Sequence, residues 1–479
     1  MIDPALFWND VAIEVARRDF DPFPGPSGSL MIMPEQGGPT RTSRALAMVH
    51  LAMYEAFALS EPAPPSLTPY GLAVAPARGA WATAAIGGAA SRALRDLYPR
   101  QAPFVSERFA NFAGMLLASG TALGDVSRGQ QFGEQVFSAL AALRQGDAAI
   151  VSQPDDKNFT LLDGRHQPDP YASDQGRLNP LWGQLPAFCR EAVMLGGAAA
   201  HYDHRDYLDP PPDHDPGNPA QGYQQDFDEV KQLGAAGSTT RTVDQHLIGT
   251  FWAYDGAWRI GTPPRLYNQC ARAVIAALPG AGATLTTPQS LRLLALINMG
   301  MADAGIIAWQ AKYHYDLWRP VVGIRQQDDG LGYDGGALAA VTASDPFWKP
   351  LGMPRTNQTG MFTRTPNFPA YPSGHASFGT TCFEILRRFL KGRVDTGTLS
   401  FTVMSEEFDG KNVDPDGSVR SVHHRRLTLA QAVRENIESR IFLGVHWRFD
   451  GEGPGTTHGW GGDAIGRKLA RRIYKRCLV

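Results

Sequence analysis

Cysteine is nearly absent: the 479 residues contain four, Cys189, Cys270, Cys382 and Cys477. They lie far apart and include no Cys-x-x-Cys pair, so neither a disulfide framework, a zinc ribbon nor a redox pair is expected. Excess charge is missing too. Lys and Arg total 45 against 47 Asp and Glu, a formal net charge of −2. That balance leaves no basic footprint for nucleic acid and no acidic tail. No run of about 18 apolar residues occurs; the nearest, Leu293 to Trp309, contains Asn298 and Asp303, so no membrane partner is expected. The opening MIDPALFWNDVAIEVARRDF reads as an amphipathic helix with internal acids, not as a basic head followed by an apolar core. The expectation is a cytoplasmic protein, with export by another route left open. A hydrophobic content of 43% with 10% aromatics excludes disorder.

Glycine and proline are abundant instead, 51 and 36 residues, above the usual combined share of about 12%. They gather in Asp21–Pro39, Glu61–Arg78, Ser152–Pro186, Pro210–Gly222 and Asp328–Pro372. Loops longer than about 12 residues tend to be functional or disordered. Here aromatics such as Tyr171, Trp182, Phe188, Tyr333 and Trp348 lie in or beside them, so ordered loops packed over a helical body are expected. Between them, Ala, Leu, Met and Arg recur at helical spacing. The helical stretches are Ser43–Leu59, Ala80–Tyr98, Pro103–Leu117, Gly129–Arg144, Asp244–Phe251, Arg265–Leu278, Pro288–Leu317, Ala376–Lys391 and Thr428–Leu443. Pro288 suits a first turn, and Pro320 is expected to end the long helix. Alternating strand patterns are scarce, which predicts an all-α fold of two antiparallel bundles. Ser43-Arg44-x5-His50 repeats the spacing of Ser439-Arg440-x5-His446, as a duplicated bundle with one functional copy would. The expected division is a structural bundle over 1–240 and a functional one over 241–479.

Three segments carry chemistry. In Lys312-x6-Arg319-Pro320, seven helical residues fall about 20° short of two turns, so both cations should leave one face. Trp309, Tyr313 and Trp318 around them suggest partial burial, and buried cations need counter-charge. In Pro372-Ser373-Gly374-His375, Ser373 is an N-cap candidate and Gly374 permits close backbone approach. A helix N-terminus suits an oxyanion, and its dipole favours a neutral, proton-accepting His375. In Ser439-Arg440-x5-His446-x3-Asp450, Asp450 lies four residues after His446 and can hold one ring nitrogen, leaving the other as ligand or nucleophile. Arg440 adds a third cation. Each segment alone reads most simply as a solvated face, a plain cap or a satisfied core histidine. Jointly they describe a cage for a tetrahedral oxyanion beside an imidazole.

The ordered pattern K-x6-RP, PSGH and SR-x5-H-x3-D resembles that of the vanadium-dependent haloperoxidases and the type 2 phosphatidic acid phosphatase/acid phosphatase superfamily. The resemblance implies His446 as the axial ligand of a vanadate cofactor, a site that phosphate can fill in the apo form. Lys312, Arg319, Arg440, the Ser373 hydroxyl and the Gly374 N–H would hydrogen-bond its oxygens, with Asp450 as partner of His446. His375 would be the acid–base residue, with Lys312 and Asp450 completing the catalytic group. Hydrogen peroxide, a halide and a small organic acceptor would be the substrates. Phe-Pro-Ala-Tyr before PSGH, Leu443–Asp450, Trp252–Gly256 and Gly261–Arg265 are most similar to fungal-type vanadium chloroperoxidases. That branch implies Trp309 and Phe368 as the halide side of the pocket and Asp255 as a partner of an arginine. Chloride, bromide and iodide oxidation is the expectation. Asn367 departs from the proline found there. Vanadate mimics phosphate, so a soluble phosphomonoesterase with a phosphohistidine intermediate on His446 is the alternative. The missing membrane spans and the long spacer from His375 to Ser439 favour the peroxidase.

Other clusters read more plainly. His201, Asp203, His204, Asp206, Asp209 and His214 match no known metal spacing, and Pro210–Pro212 stiffens that stretch as a surface loop. Gly453-x-Gly455-x3-Gly459 lacks a preceding strand and reads as a loop. His423–Arg426 reads as an exposed turn, and His314 as a satisfied helix residue.

Overall fold

The structure is a computed structural model and describes residues 3–24, 30–63, 66–79, 81–190, 200–212, 222–326, 344–361 and 363–479. His214, Tyr333, much of Pro210–Gly222 and the first part of Asp328–Pro372 lie outside the described residues. Five long helices open the chain: α1 (Pro4–Arg18), α2 (Gly38–Ser60), α3 (Ala82–Leu97), α4 (Ala102–Ala118) and α5 (Leu123–Leu143). A single turn, α6 (Ala148–Val151), comes next, and α7 (Tyr223–Leu233), α8 (Val243–Phe251) and α9 (Pro263–Ala277) follow later in the chain. The longest helix, α10 (Thr287–Tyr315), precedes the short α11 (Pro320–Gly323) and then α12 (Gly374–Leu390). α13 (Leu429–Phe442), the short α14 (Arg448–Gly451) and α15 (Gly461–Arg476) complete the α-helices among the described residues. The fold is all-α, with two small antiparallel strand pairs among the described residues. β1 (Phe23–Pro24) pairs with β2 (Leu30–Met31), and β3 (Ser400–Met404) pairs with β4 (His424–Thr428). β4 includes three of the four residues of His423–Arg426, so that segment is mostly strand rather than turn.

α10 is the axis of the molecule. Thr286 caps it, its N–H donating to Gln289 Oε1 at 3.0 Å, with Pro288 in the first turn. The helix is apolar on all sides because it is buried on all sides: α2 packs against it, and so do α12 and α15. The apolar stretch Leu293 to Trp309 is core, with Leu293, Met299, Ile307 and Trp309 fully buried. α10 stops at Asp316, which adopts the left-handed conformation with φ 51°, a geometry that Asp tolerates better than most residues. Pro320 therefore does not end the long helix. It opens α11 as a first-turn proline with Arg319 at the N-cap.

α2 carries the echo segment, and its polar groups are structural. Arg44 pairs with buried Asp147 at 2.8 Å. His50 Nδ1 donates to Leu46 O at 2.7 Å, and its Nε2 accepts from Asn9 Nδ2 at 2.9 Å. Burial holds His50 at a pKa of about 4, a neutral ring with both nitrogens used.

Two long-range ties were invisible in the spacing. Cys189 and Cys477, 288 residues apart, form a disulfide with Cα atoms 5.9 Å apart, while Cys270 and Cys382 are free and buried. The absence of a near pair therefore did not mean the absence of a bridge. The loop Ser152–Pro186 is tied to the end of α10: His166 N donates to Asp316 O at 2.7 Å and Trp318 N to Gly164 O at 3.0 Å. It also meets the segment before α12, where Leu178 N donates to Asn367 O at 2.8 Å.

α15 packs closely along α12 through glycines. A Cβ on Gly462 would lie 2.5 Å from Ser373 O and from Ser377 N, so only hydrogen fits between α15 and the start of α12. Gly462→Val should force these helices apart at an overpacking cost of about 1–3 kcal/mol. The expected result is a lower thermal midpoint by calorimetry together with weaker phosphate binding, because the start of α12 is displaced. An unchanged midpoint would contradict the contact.

Candidate functional site

The three sequence blocks converge at one buried place, though by a different route from the single helix face expected. Lys312 comes from the last turn of α10. Arg319 comes from the connection beyond the left-handed Asp316, so the two cations sit on separate elements and meet through the loop. Arg440 is on the last turns of α13. Gly444 (φ 69°) then reverses the chain, placing His446 in the turn before α14 rather than on a helix. Ser373 caps α12, its side chain accepting from Ala376 N at 3.4 Å, and His375 lies in that first turn. The Ser373 N–H donates to Asp450 O at 2.7 Å, which locks the start of α12 to α14.

Proton positions follow from the partners. His446 Nε2 is 3.1 Å from Arg319 Nη1; a guanidinium only donates, so Nε2 accepts. Nδ1 therefore carries the proton and donates to Asp450 Oδ2 at 2.8 Å. The same Asp450 oxygen accepts from Trp447 N at 3.0 Å. His375 Nε2 lies 2.6 Å from Ala253 O; a carbonyl only accepts, so Nε2 is the protonated nitrogen. Nδ1 is then the basic nitrogen of a neutral His375. Its backbone carbonyl accepts from Asn436 Nδ2 at 2.9 Å, and Asn436 Oδ1 accepts from the Tyr267 hydroxyl at 2.8 Å. Asn436 and Tyr267 went unnoticed in the sequence because nothing in their spacing links them to His375.

The cations are buried and only partly partnered. Lys312 is fully buried, its Nζ donating to Pro369 O at 2.7 Å and Ala370 O at 3.0 Å. Arg319 donates from Nε to Phe368 O at 3.0 Å and from Nη1 to Val445 O at 2.7 Å. Its Nη2 is buried without a partner, and so is Arg440 Nε. Arg440 is held by Asp255 through two bonds of 2.9 and 3.0 Å. Asp255 also lies 3.8 Å from His375 Nε2, so it serves both residues.

Electrostatics follow from burial first and neighbours second. Burial, then Arg319 and Arg440, drive the Lys312 ammonium well below its ordinary pKa, with Asp450 opposing. Burial and the surrounding cations push both His446 and His375 well below the imidazole range. The neutral state expected for His375 thus comes from burial and Arg440 rather than from the helix dipole alone. Burial raises Asp450 to about 8, with Lys312 and Arg319 opposing only in part, and leaves Asp255 raised as well, against Arg440 and Arg319. The arrangement has positive charge to spare and donors with nothing to bind, which is the chemistry of an oxyanion site.

A cavity of about 440 Å³ reaches this cage. Asp255, Gly374, His375, Arg440 and His446 line its floor beside Trp309 and Phe368, whose rings lie 4.8 Å apart. Lys312 Nζ is 5.0 Å and the Arg319 guanidinium 4.9 Å from the centre of the Phe368 ring. The wall crosses the expected division at residue 240: Gly38, Arg41, Asp155 and Leu178 of the N-terminal half line the cavity as well. Among the described residues of Asp328–Pro372, the wall includes Met353, Arg364, Pro366 and Asn367. Asn367 Nδ2 donates to Gly176 O at 2.8 Å and Asp155 Oδ2 at 3.2 Å, joining the two halves of the wall.

In the remaining clusters, His204 and Asp209 have structural partners. Among the described residues, no group of three or more His, Cys, Asp and Glu could hold a metal ion. His204 is placed by Gln310, whose Oε1 accepts from its backbone N–H at 2.6 Å, and its ring stands 4.7 Å from that of His314. Asp209 Oδ2 accepts from four successive N–H groups, Thr456 to Gly459, at 2.7 to 3.1 Å. Burial raises the Asp209 pKa, but those four bonds outweigh it and the group ends low. The glycine-rich loop is thus an anion nest occupied by the protein's own carboxylate.

Comparison with known proteins agrees with this geometry. The family model described as the VCPO second helical-bundle domain matches residues 292–477. The vanadium chloroperoxidase of Curvularia inaequalis is 31% identical over 503 residues, covering 93% of this chain and 78% of that protein. A bacterial vanadium-dependent iodoperoxidase shares the fold with a TM-score of 0.67 at 19% identity, over 98% of this chain and 95% of that one. A holo-type bacterial vanadium-dependent chloroperoxidase does so with a TM-score of 0.57 at 15% identity, over 92% and 93%. With the curated relative matched over most of both chains, and the Lys312, Ser373 and His446 blocks gathered at one buried site, the chain belongs to the vanadium haloperoxidase family and is an enzyme of that kind.

Proposed function

We propose that the chain binds vanadate on His446 and uses hydrogen peroxide to oxidise halide, chloride and bromide as well as iodide, to hypohalous acid or its equivalent. The observation that carries this reading is the set of orphaned donors: Arg319 Nη2 and Arg440 Nε are buried with no partner, beside a His446 whose Nε2 is an acceptor. A tetrahedral oxyanion satisfies the first two and takes the lone pair of the third, so the residues fit the group. When bound, vanadate supplies Lewis-acid activation of peroxide toward attack by halide.

The protein's residues do the rest. Lys312, Arg319 and Arg440 hold the oxyanion charge from buried positions, where fixed cations act more strongly than in water. The Ser373 hydroxyl and the Gly374 N–H add neutral donors at the start of α12. Asp450 keeps the proton on His446 Nδ1 and thereby keeps Nε2 a ligand. His375, neutral and with Nδ1 basic, takes a proton from entering peroxide and returns it to the departing oxygen as water forms. With an acceptor ArH, the balance is ArH + X⁻ + H₂O₂ + H⁺ → ArX + 2 H₂O. Trp309 and Phe368 give the halide an apolar side of the pocket. The Trp309 indole N–H is already committed to Leu178 O at 3.1 Å, leaving ring carbons toward the cavity, which suits a poorly hydrated halide. The expected division at residue 240 stays part of this proposal, with the reacting groups in 241–479.

Two experiments test the reading. Apo-protein given orthovanadate, peroxide and bromide should brominate a neutral phenol such as thymol, and His446→Ala should lose both halogenation and vanadate retention by ultrafiltration. Release of p-nitrophenol from p-nitrophenyl phosphate without vanadate, and no halogenation with it, would assign the phosphatase instead. The second experiment is titration of ¹⁵N-labelled histidines in the apo-protein. A histidine whose folded pKa is depressed stays neutral down through its ordinary pKa near 6.5 and gains its proton only at lower pH. His375 should show the Nε2–H tautomer and His446 the Nδ1–H tautomer at pH 6.5, both uncharged. An imidazolium signature for either at that pH would contradict the assignment.

A further inference from the structure

The cavity does not end at the cage. Besides the cage residues its lining includes apolar groups, among them Pro39, Leu178, Met353 and Pro366, and also Arg364. Met353 and Arg364 are paired across a short antiparallel bridge, Met353 N donating to Arg364 O at 2.8 Å, so both positions are held by backbone. Arg364 Nε is buried with no hydrogen-bond partner, and so is the Nε of Arg355, a residue only 6% exposed. Burial and the Arg364 charge bring Arg355 down to about 10. Burial lowers Arg364 as well, with Asp174 and Asp169 opposing at a distance. Neither arginine reaches a carboxylate within ion-pair distance among the described residues.

The nearby acids are accounted for. Asp169 is taken up by Thr365 N, Thr365 Oγ1 and Tyr171 N at 2.6 to 2.9 Å. Asp155 faces Asn367 at 3.2 Å and is partly balanced by Arg41. Asp174 remains as the one lining carboxylate that competes for Arg364. A cavity of about 440 Å³ falls within the range of small-molecule sites. Its lining joins two chemistries: the aromatic rings of Trp309 and Phe368, and the Arg364 guanidinium, whose Nε has no hydrogen-bond partner.

We infer that the Arg364 side of this cavity is a binding site for the organic acceptor, and that the acceptor is a small aromatic or unsaturated carboxylate whose anionic group is held by Arg364. The ring or double bond then points toward Trp309, Phe368 and the cage, where oxidised halogen is released. A planar guanidinium with a free edge takes a carboxylate in a charge-assisted hydrogen bond, which a neutral amide of the same shape cannot match. The assignment rests on the haloperoxidase reading for its chemistry, but the binding itself does not need the cofactor.

The test uses apo-protein and two probes of equal shape, 4-hydroxyphenylacetate and 4-hydroxyphenylacetamide, with affinities read by isothermal titration calorimetry. Wild type should bind the carboxylate about tenfold or more tightly than the amide. Arg364→Gln should abolish that preference, Arg364→Lys should restore part of it, and Asp174→Asn should increase it. In the vanadate-loaded enzyme, the ratio of kcat/KM for the two acceptors should follow the same order. Equal binding of both probes by wild type, or a preference untouched in Arg364→Gln, would overturn the assignment. A KM for iodide that rises in Arg364→Gln alongside an unchanged probe preference would make the residue a halide-capture group and also overturn it. Carboxylate binding that persists in a protein unable to halogenate would leave this site standing and remove the haloperoxidase reading instead.

Discussion

Three cations buried beyond the reach of water require negative charge, and that requirement organises the C-terminal half of the molecule. An isolated buried charge is costly enough that a protein normally pairs or neutralises it. Here the pairing is deliberately incomplete. Asp255 takes two of the Arg440 donors and Asp450 takes the His446 proton, while Lys312 and Arg319 lean on backbone carbonyls of Phe368 to Ala370 and Val445. Carbonyl oxygens orient cations without cancelling them. The uncancelled charge and the two orphaned guanidinium N–H groups are what an oxyanion completes.

Holding such a site together needs rigid support, and the elements around it supply it. α10 is packed by α2, α12 and α15, so the Lys312 backbone has little freedom. The start of α12 is fixed by the Ser373-to-Asp450 backbone bond, by Asn436 on the His375 carbonyl and by the close approach of Gly462. The turn carrying His446 is clamped from outside by α7. Glu229 pairs with Arg448 at 2.6 Å, and Asp226 accepts from Phe449 N at 2.8 Å. Each of these contacts fixes the position of a reacting group by way of its neighbours.

Much of this was legible in the sequence, and the rest was not for identifiable reasons. The helices α1 to α5, α8 to α10, α12 and α13 carry apolar residues at helical spacing, and Ser373 is placed by the local rule of capping, while Asp450 meets His446 at the expected separation but across a turn rather than along a helix. Lys312 and Arg319 illustrate the limit. Their spacing fits one helix face, yet Asp316 turns left-handed, and the two cations meet through a loop instead. No local signal announces that turn. α7 and α15 escaped notice because polar and charged residues dominate their composition, although Tyr223, Phe227 and Val230 in one and Ile465, Leu469 and Ile473 in the other are buried at helical spacing; the five-residue strands β3 and β4 are too short to stand out. The Cys189–Cys477 bridge, the Asp209 nest and the Arg364 edge of the cavity depend on contacts across roughly 10 to 290 positions, which spacing within one segment cannot reveal.

The central claim is that the buried cations form a cage for one oxyanion held by the acceptor nitrogen of His446. Its most direct measurement is anomalous diffraction at the vanadium edge from crystals soaked in orthovanadate. The account predicts a single peak within bonding distance of His446 Nε2, with Lys312, Arg319 and Arg440 donating to the oxygens around it. A peak bonded to another residue, or a fully soaked crystal with no peak among those three cations, would contradict it.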